Sequence, residues 1–141
     1  KVYVTDIGLL IEMLGTGTRT DILQGNLGGF KGAIFENLMA DTLHKKAQSL
    51  YYFQKDSGLE LDFLVRMNGE CMPLEVKAKS SKAKSVKTVL AHPEKYQVHQ
   101  IIKFGDYNIG REGNLLTLPT YIQFLLELEP EQIILSPIDT D

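Results

Sequence analysis

The stretch GLELDFLVRMNGECMPLEVKAKS, residues 58–80, predicts two strands joined by a tight turn. Asn68 and Gly69 supply the positive φ angles that a two-residue type I′ turn requires. With these residues as the turn, Met67 lies opposite Glu70. Each step away from the turn lowers one residue number and raises the other by one, so the numbers of every pair sum to 137. The sequence therefore predicts an antiparallel hairpin with a defined register.

This register brings four charged side chains to one face of the hairpin. Asp62 falls opposite Glu75, and Glu60 falls opposite Lys77. Side chains alternate along a strand, so all four point to the same side. The apolar positions take the other face, which we expect to be the core: Leu61, Phe63, Val65, Met72, Leu74 and Val76.

Two opposed carboxylates need a group that offsets their repulsion. Partners in an antiparallel pair have Cβ atoms about 4.5 to 5.5 Å apart, and like charges there are destabilising. The repulsion should also raise the pKa of one carboxyl group. A hard divalent cation is the simplest offset, because Mg²⁺ is held by one or two carboxylates together with water and phosphate oxygens.

Two other interpretations of the carboxylates stay open. They are ordinary charges on an exposed sheet face, with Lys77 paired to Glu60, or they belong to a retaining glycosidase, whose carboxyl groups also stand about 5 Å apart. The nearby lysines and the absence of tryptophan count against the glycosidase.

The rest of the chain predicts further strands and helices around one sheet. GAIFENLMADTLHKK has the apolar spacing of an amphipathic helix, and Glu36 lies near the border of its buried face. In YYFQ we expect Tyr51, Tyr52 and Phe53 to belong to the core. The other predicted strands are KVYVT, YQVHQIIKF and LLTLP, and the other helices are KSSKAKSVKTVLAH, with serine N-caps, and TYIQFLLELE.

Composition bounds the class of protein. The chain has 141 residues, 43% hydrophobic and 23% charged, which indicates one soluble globular domain. No apolar stretch reaches the roughly 18 residues of a membrane span, so no membrane association is expected. The single cysteine, Cys71, cannot form an internal disulfide, which favours a reducing, cytoplasmic location.

The charge distribution is uneven although the net charge is only −3. Residues 77–87 contain five lysines and no acidic residue. Such a run is typical of either a solvated helix face or a surface that contacts a phosphate backbone.

Asp62, a turn and then Glu75-Val76-Lys77 resemble the PD-(D/E)XK nuclease superfamily. In that superfamily an Asp and an E-x-K tripeptide lie on adjacent strands, with a Glu on a preceding helix. Stretches from KVYVTDIGLL to LLTLPTYIQFLL also make residues 1–128 similar to the domain of unknown function that follows the AAA+ module in many bacterial and archaeal ATPases. Residues 129–141 are then a C-terminal tail.

The resemblance implies an α/β fold with a restriction-endonuclease-like mixed central sheet flanked by helices. It also implies an N-terminal AAA+ ATPase module, which agrees with a chain that opens inside a predicted strand without an initiator Met. The domain would then be the C-terminal part of a longer protein, with nucleic acid, DNA in the first place, as its partner.

The resemblance further assigns roles to individual residues. Glu36, Asp62, Glu75 and Lys77 would be catalytic, and Mg²⁺ or Mn²⁺ would be held by Asp62, Glu75 and the carbonyl of Val76. Leu61 stands where the superfamily name has Pro, which removes no metal ligand. The alternative is a catalytically inactive nuclease-fold module for DNA binding or for docking partners of the ATPase. The residues expected to contact nucleic acid are Lys79, Lys82, Lys84 and Lys87.

Overall fold

The computed structural model describes residues 1–78 and 83–130. In these residues a six-stranded mixed sheet is flanked by helices, which confirms the predicted α/β class. No helix among them is long and apolar enough to cross a membrane. The helices are α1 (Ile7–Met13), α2 (Thr18–Leu23), α3 (Lys31–Lys45), α4 (Lys84–Leu90) and α5 (Pro93–Tyr96), with 3₁₀ turns at Gly28–Phe30 and Thr120–Leu125. The strands are β1 (Tyr51–Gln54), β2 (Glu60–Met67), β3 (Glu70–Lys77), β4 (Ile101–Gly105), β5 (Gly110–Glu112) and β6 (Leu115–Pro119).

The strands lie in the order β1-β2-β3-β4-β6-β5. Strands β1, β2 and β3 are antiparallel neighbours, whereas β4 runs parallel to both β3 and β6. The connection from β3 to β4 includes α4 and α5, as a parallel pair requires a crossover. The edge strand β5 is antiparallel to β6. The parallel part of the sheet, β3-β4-β6, therefore lies between antiparallel strands on both sides.

The central hairpin has the predicted turn and register. Asn68 and Gly69 have φ angles of 54° and 79°, which a type I′ turn requires. Paired residues run from Met67 and Glu70 to Phe63 and Leu74. Each of these pairs has numbers that sum to 137, so the predicted register is confirmed over this range.

A bulge in β2 overturns the predicted alternation of its apolar residues. Tyr51 pairs with Leu64 but Phe53 pairs with Leu61, so β2 carries one extra residue between these two pairs. Such an insertion re-aims the side chains beside it. Phe63 consequently packs in one core cluster and Leu61 in the other, so the prediction that they share a face is wrong.

Apolar side chains fill both faces of the sheet. Met39 and Leu43 of α3 pack with Leu74 and Phe104 on one face, in the larger cluster. Val86 and Val89 of α4 pack with Leu61, Val98 and Ile101 on the other. Full burial of such a side chain contributes about 1.5 to 3 kcal/mol, so both faces hold the sheet in place. The interpretation of the carboxylates as ordinary charges on an exposed sheet face is wrong for Asp62 and Glu75, which are 6% and 3% exposed.

Helix α3 forms in the predicted stretch and α4 forms within KSSKAKSVKTVLAH, whereas other predictions of secondary structure are wrong. KVYVT forms no strand, and α1 begins after Asp6, whose carboxylate accepts the Leu9 N–H at 2.9 Å. The predicted C-terminal helix is only a short 3₁₀ segment, Thr120–Leu125. Helix α4 has Ala83 at its N-cap without a side-chain hydrogen bond, so the predicted serine cap is wrong.

Candidate active site

Asp62 lies directly after the last register pair between β2 and β3. The paired residues of the two strands extend to Phe63 and Leu74, and the Asp62 carboxylate comes next. The backbone N–H of Val76 donates to Asp62 Oδ2 at 3.0 Å. The Asp62 side chain is only 6% exposed. The carboxylate therefore takes a backbone donor of β3 and is held between the two strands.

Glu75 and Lys77 complete the predicted carboxylate pair and its lysine. Lys77 Nζ lies 2.7 Å from Glu75 Oε1 and 3.5 Å from Asp62 Oδ2, so one ammonium bridges both carboxylates. Glu75 is 3% exposed, and its Oε2 atom is buried without a hydrogen-bond partner in the described part of the chain. A buried polar atom without a partner is costly, which makes this oxygen a candidate ligand position.

The electrostatics of the pair agree with mutual repulsion. Burial and then the charge of Asp62 raise the pKa of Glu75 above its ordinary value, although Lys77 acts in the opposite direction. Burial works against the charged form of Lys77, but contacts with Glu75 and Asp62 hold its pKa above the ordinary value. The direction agrees with the rise predicted for one carboxyl group, but burial and not repulsion by Asp62 is the larger cause for Glu75.

Glu36 reaches the same cluster from α3 through a residue that the sequence did not single out. Lys1 Nζ lies 3.0 Å from Glu36 Oε1, 2.7 Å from Glu60 Oε1 and 3.1 Å from Asp62 Oδ1. Tyr3 donates its hydroxyl to the same Glu36 oxygen at 2.6 Å. Glu60 therefore pairs with Lys1, and not with Lys77 as one interpretation of the hairpin proposed.

Gly105 of β4 allows the backbone of Lys77 to lie close to a neighbouring loop. Lys77 and Gly105 are register partners in the parallel ladder. A Cβ atom at Gly105 would collide with the Lys77 carbonyl oxygen and the Tyr107 ring. Only glycine fits at position 105 without displacing these atoms. The backbone position of Lys77 therefore depends on a residue of the neighbouring strand β4.

The predicted nucleic-acid residues are only partly placed. Lys84 and Lys87 are exposed on α4. Ser85 Oγ accepts the backbone N–H of Glu60 at 3.1 Å, which fixes the first turn of α4 beside the start of β2. Lys79 and Lys82 lie outside the described residues, and the role of the Val76 carbonyl stays a prediction.

A separate cavity is lined by Tyr51, Tyr52, Arg66 and Cys71 together with residues 129 and 130, and none of the carboxylates Glu36, Asp62 and Glu75 lines it. Tyr52 is 48% exposed, and its ring centroid lies 5.9 Å from Lys1 Nζ. The prediction that Tyr51 and Tyr52 belong to the core is wrong, because β1 is an edge strand; Phe53 alone of the three packs against a core cluster.

The donor set fits a hard divalent cation in charge and chemistry. No three His, Cys, Asp or Glu side chains within residues 1–78 and 83–130 form a ready-made metal-ligand group. Mg²⁺, however, is usually held by one or two carboxylates with water and substrate phosphate, and not by a full protein cage. Asp62 and Glu75 supply two carboxylates of this kind, and within residues 1–78 and 83–130 one Glu75 oxygen has no hydrogen-bond partner.

Neutralising Glu75 is expected to stabilise the domain in the presence of a chelator. Because the pKa of Glu75 is raised in the folded state, protonated Glu75 contributes to the free energy of unfolding at pH values below its ordinary pKa of 4.5. This contribution is lost as the pH rises through the pKa of the folded state. Glu75→Gln removes the loss, so its advantage over wild type should grow as pH rises above 4.5. At neutral pH we expect up to about 1 kcal/mol, the scale of cross-strand charge pairs.

Urea unfolding from pH 4 to pH 8 measures this difference. Glu70→Gln is the matched control, because Glu70 is an exposed residue of the same strand. A Glu75→Gln variant that is less stable than wild type across the whole range would show that Glu75 is fully compensated by Lys77.

Comparison with known proteins gives one result. The DUF4143 profile, described as a domain of unknown function, matches residues 31–121. This range includes Glu36, Asp62, Glu75 and Lys77 but not Lys1. No curated protein and no solved structure gives a significant match. The family description names neither an activity nor a partner.

Proposed function

This chain belongs to the DUF4143 family, and we propose that it is a Mg²⁺- or Mn²⁺-dependent nuclease-like domain that acts on nucleic-acid phosphodiesters. One observation carries the proposal. Two buried carboxylates, Asp62 and Glu75, share the ammonium of Lys77, and one oxygen of Glu75 has no hydrogen-bond partner among the residues that the structure describes. A scaffold gains no stability from burying such a pair, whereas a metal-dependent phosphodiesterase uses acidic oxygens and a lysine together.

Each cluster residue has a distinct part in this proposal. Asp62 and Glu75 would hold the cation, with the Val76 carbonyl as a further ligand. A bound divalent cation neutralises charge on phosphate oxygens and makes water more acidic. Lys77 already contacts both carboxylates, so its ammonium would stabilise the charge that develops on the phosphate oxygens or position the attacking water.

Glu36 would orient the attacking water from the side of α3. Its side chain is partly exposed, unlike those of Asp62 and Glu75, and therefore reaches solvent. The Val76 N–H fixes one oxygen of Asp62 at 3.0 Å, so that carboxylate is preorganised by the backbone of β3. Preorganised groups lower the barrier because they need no rearrangement during the reaction.

A cleavage assay tests the proposal. The full chain is incubated with end-labelled single- and double-stranded DNA and RNA, in Mg²⁺, in Mn²⁺ and in EDTA. We expect cleavage of at least one nucleic acid in the presence of metal and none in EDTA. Equal cleavage in EDTA would show a contaminating or metal-independent activity.

The exposed lysines of α4 support nucleic acid as the substrate class. Ser85 ties this helix to Glu60, so Lys84 and Lys87 project from an element that adjoins the carboxylates. Lysines that contact phosphates bind without reading sequence. Tyr52 adds an exposed ring near Lys1 on which a base could stack.

The lysine contacts predict a salt dependence. Each phosphate contact contributes about 0.9 to the log–log slope of duplex affinity against salt. Replacing Lys79, Lys82, Lys84 and Lys87 together with alanine should therefore lower the slope by up to about 3.6, and Lys84→Ala with Lys87→Ala by up to about 1.8. Fluorescence anisotropy with a mixed-sequence duplex, from low to moderate salt, measures both slopes.

Lys45→Ala is the matched control for this experiment. Lys45 is also exposed, but it lies nine residues along α3 from Glu36, about 13 Å along the helix axis, and pairs with Asp41. Its removal should leave the slope unchanged. Equal slopes for wild type and the quadruple variant would reject backbone contact by the lysine run.

A second candidate function is a catalytically inactive module that binds DNA or docks partners of an attached ATPase. The observation that favours it is Lys1, whose ammonium already neutralises oxygens of Glu36, Glu60 and Asp62. We also propose, on the resemblance of residues 1–128 alone, that an AAA+ module precedes this domain. DNA binding that persists unchanged in EDTA, without cleavage in any metal, would favour this candidate.

A further inference from the structure

Lys1 occupies the position of a cation in the carboxylate cluster. Its Nζ atom lies within 3.1 Å of oxygens from Glu36, Glu60 and Asp62, which belong to α3 and β2. Its side chain is 20% exposed, so the ammonium is largely withdrawn from water. Hydrogen bonds to Glu60 and Glu36 raise its pKa despite the opposing effect of burial, so the ammonium stays charged.

Ion pairs join four carboxylates of the cluster (Glu36, Glu60, Asp62 and Glu75) to the ammonium groups of Lys1 and Lys77. Lys103, the register partner of Glu75 in β4, is a further buried lysine on the neighbouring strand. Asp62 Oδ1 faces Lys1 and Asp62 Oδ2 faces Lys77, so an incoming cation meets an ammonium at either oxygen of Asp62.

A short extended segment, which we call the strap (residues 1–4), carries Lys1 to this position. The Asn37 side chain accepts the Val4 N–H at 2.8 Å and donates to the Val4 carbonyl at 2.9 Å. The Tyr3 hydroxyl donates to Glu36, and the Tyr3 ring packs 5.6 Å from the Phe63 ring. The strap is thus held on α3 and β2 by side chains that are not themselves part of the carboxylate pair.

A tethered ammonium differs from a free ion because it is always near its binding position. A group on a short tether acts at an effective concentration of about a millimolar or more. Lys1 therefore competes with any divalent cation that needs Asp62 as a ligand. Lys77 differs from Lys1, since its backbone belongs to β3 and not to the strap.

We propose that Lys1 is a displaceable counter-ion that competes with a divalent cation for the Asp62 carboxylate, so that withdrawal of the strap loads the site with metal. This inference rests on the proposed metal site and adds its regulation. Movement of residues 1–4 then controls metal affinity without any change in the metal ligands.

Direct measurement of Mn²⁺ binding tests this competition. Binding to the full chain is measured by the loss of the free Mn²⁺ electron paramagnetic resonance signal, for wild type, Lys1→Met and Lys1→Arg. Lys1→Met should bind Mn²⁺ at least about tenfold more tightly, because a full competing charge at close range is removed. Lys1→Arg keeps the charge and should resemble wild type.

A second variant, Tyr3→Phe, keeps the test possible if Lys1→Met does not fold. Tyr3→Phe removes the hydroxyl that donates to Glu36 and keeps the ring against Phe63, so it should loosen the strap and give an affinity between those of wild type and Lys1→Met. Equal Mn²⁺ affinity in wild type, Tyr3→Phe and Lys1→Met overturns the competition and leaves the metal site standing. Absence of Mn²⁺ binding in every variant overturns the metal site and this inference with it.

Discussion

Lys77→Met is expected to reduce metal-dependent cleavage of nucleic acid by at least about a hundredfold, the scale of losing one preorganised group that stabilises developing charge. The ammonium lies 2.7 Å from Glu75 and 3.5 Å from Asp62, so it contacts both proposed metal ligands. Methionine is an unbranched side chain only one atom shorter than lysine, and it supplies no charge. Initial rates on the best substrate in Mg²⁺ and in Mn²⁺ measure the loss.

Lys84→Met is the control for this large effect. Lys84 is an exposed lysine of α4, and its loss should weaken substrate binding without removing the chemical step. We therefore expect a raised KM and a nearly unchanged kcat for Lys84→Met, but a lowered kcat for Lys77→Met. Wild-type kcat in a folded Lys77→Met variant would remove Lys77 from the catalytic group.

Divalent metal is expected to stabilise the wild-type domain, and Asp62→Asn is expected to abolish that stabilisation. At a hundredfold excess over Kd a ligand adds about 2.7 kcal/mol, which for a domain of 141 residues raises Tm by about 9 °C. Thermal melts in Mn²⁺ and in EDTA measure the difference. An unmoved wild-type Tm at millimolar Mn²⁺ would contradict a metal site formed by these carboxylates.

The two carboxylates should differ when the metal is absent. Asp62 accepts the Val76 N–H and pairs with both Lys1 and Lys77, so Asp62→Asn should destabilise the domain in EDTA. Glu75 has a raised pKa and, in the described part of the chain, one oxygen without a hydrogen-bond partner, so Glu75→Gln should stabilise the domain. Both variants should lose the response to Mn²⁺. A functional carboxylate pair therefore predicts stability changes of opposite sign for the two variants in EDTA, and loss of the stabilisation by Mn²⁺ in both. Ordinary surface charges predict neither result.

The part of the site that follows from local sequence could be predicted. Asn68-Gly69 fixes the turn, and the turn fixes the register that brings Asp62 near Glu75 and Lys77. Each of these steps involves neighbouring residues of one hairpin, so the sequence determines them without knowledge of the rest of the fold. The helical position of Glu36, at the border of a buried face, follows from periodicity in the same way.

The features that were missed depend on distant parts of the chain. The bulge that sends Leu61 and Phe63 to different clusters arises from the pairing of β2 with β1. Lys1 joins the cluster across 35 residues to Glu36 and 61 residues to Asp62, and no local pattern links them. A lysine at the start of an apolar segment is a weak signal, which became informative only when α3 and β2 had been placed.

The central claim is that Asp62 and Glu75 form one divalent-cation site, and the anomalous scattering of Mn²⁺ tests it most directly. A crystal of the full chain is soaked in Mn²⁺, and an anomalous difference map is calculated from data collected near the manganese edge. We predict one strong peak in contact with carboxylate oxygens of both Asp62 and Glu75, with the Lys1 ammonium displaced from Asp62. A map at saturating Mn²⁺ without a peak there, in which Lys1 and Lys77 keep their ion pairs with Asp62, would contradict the account.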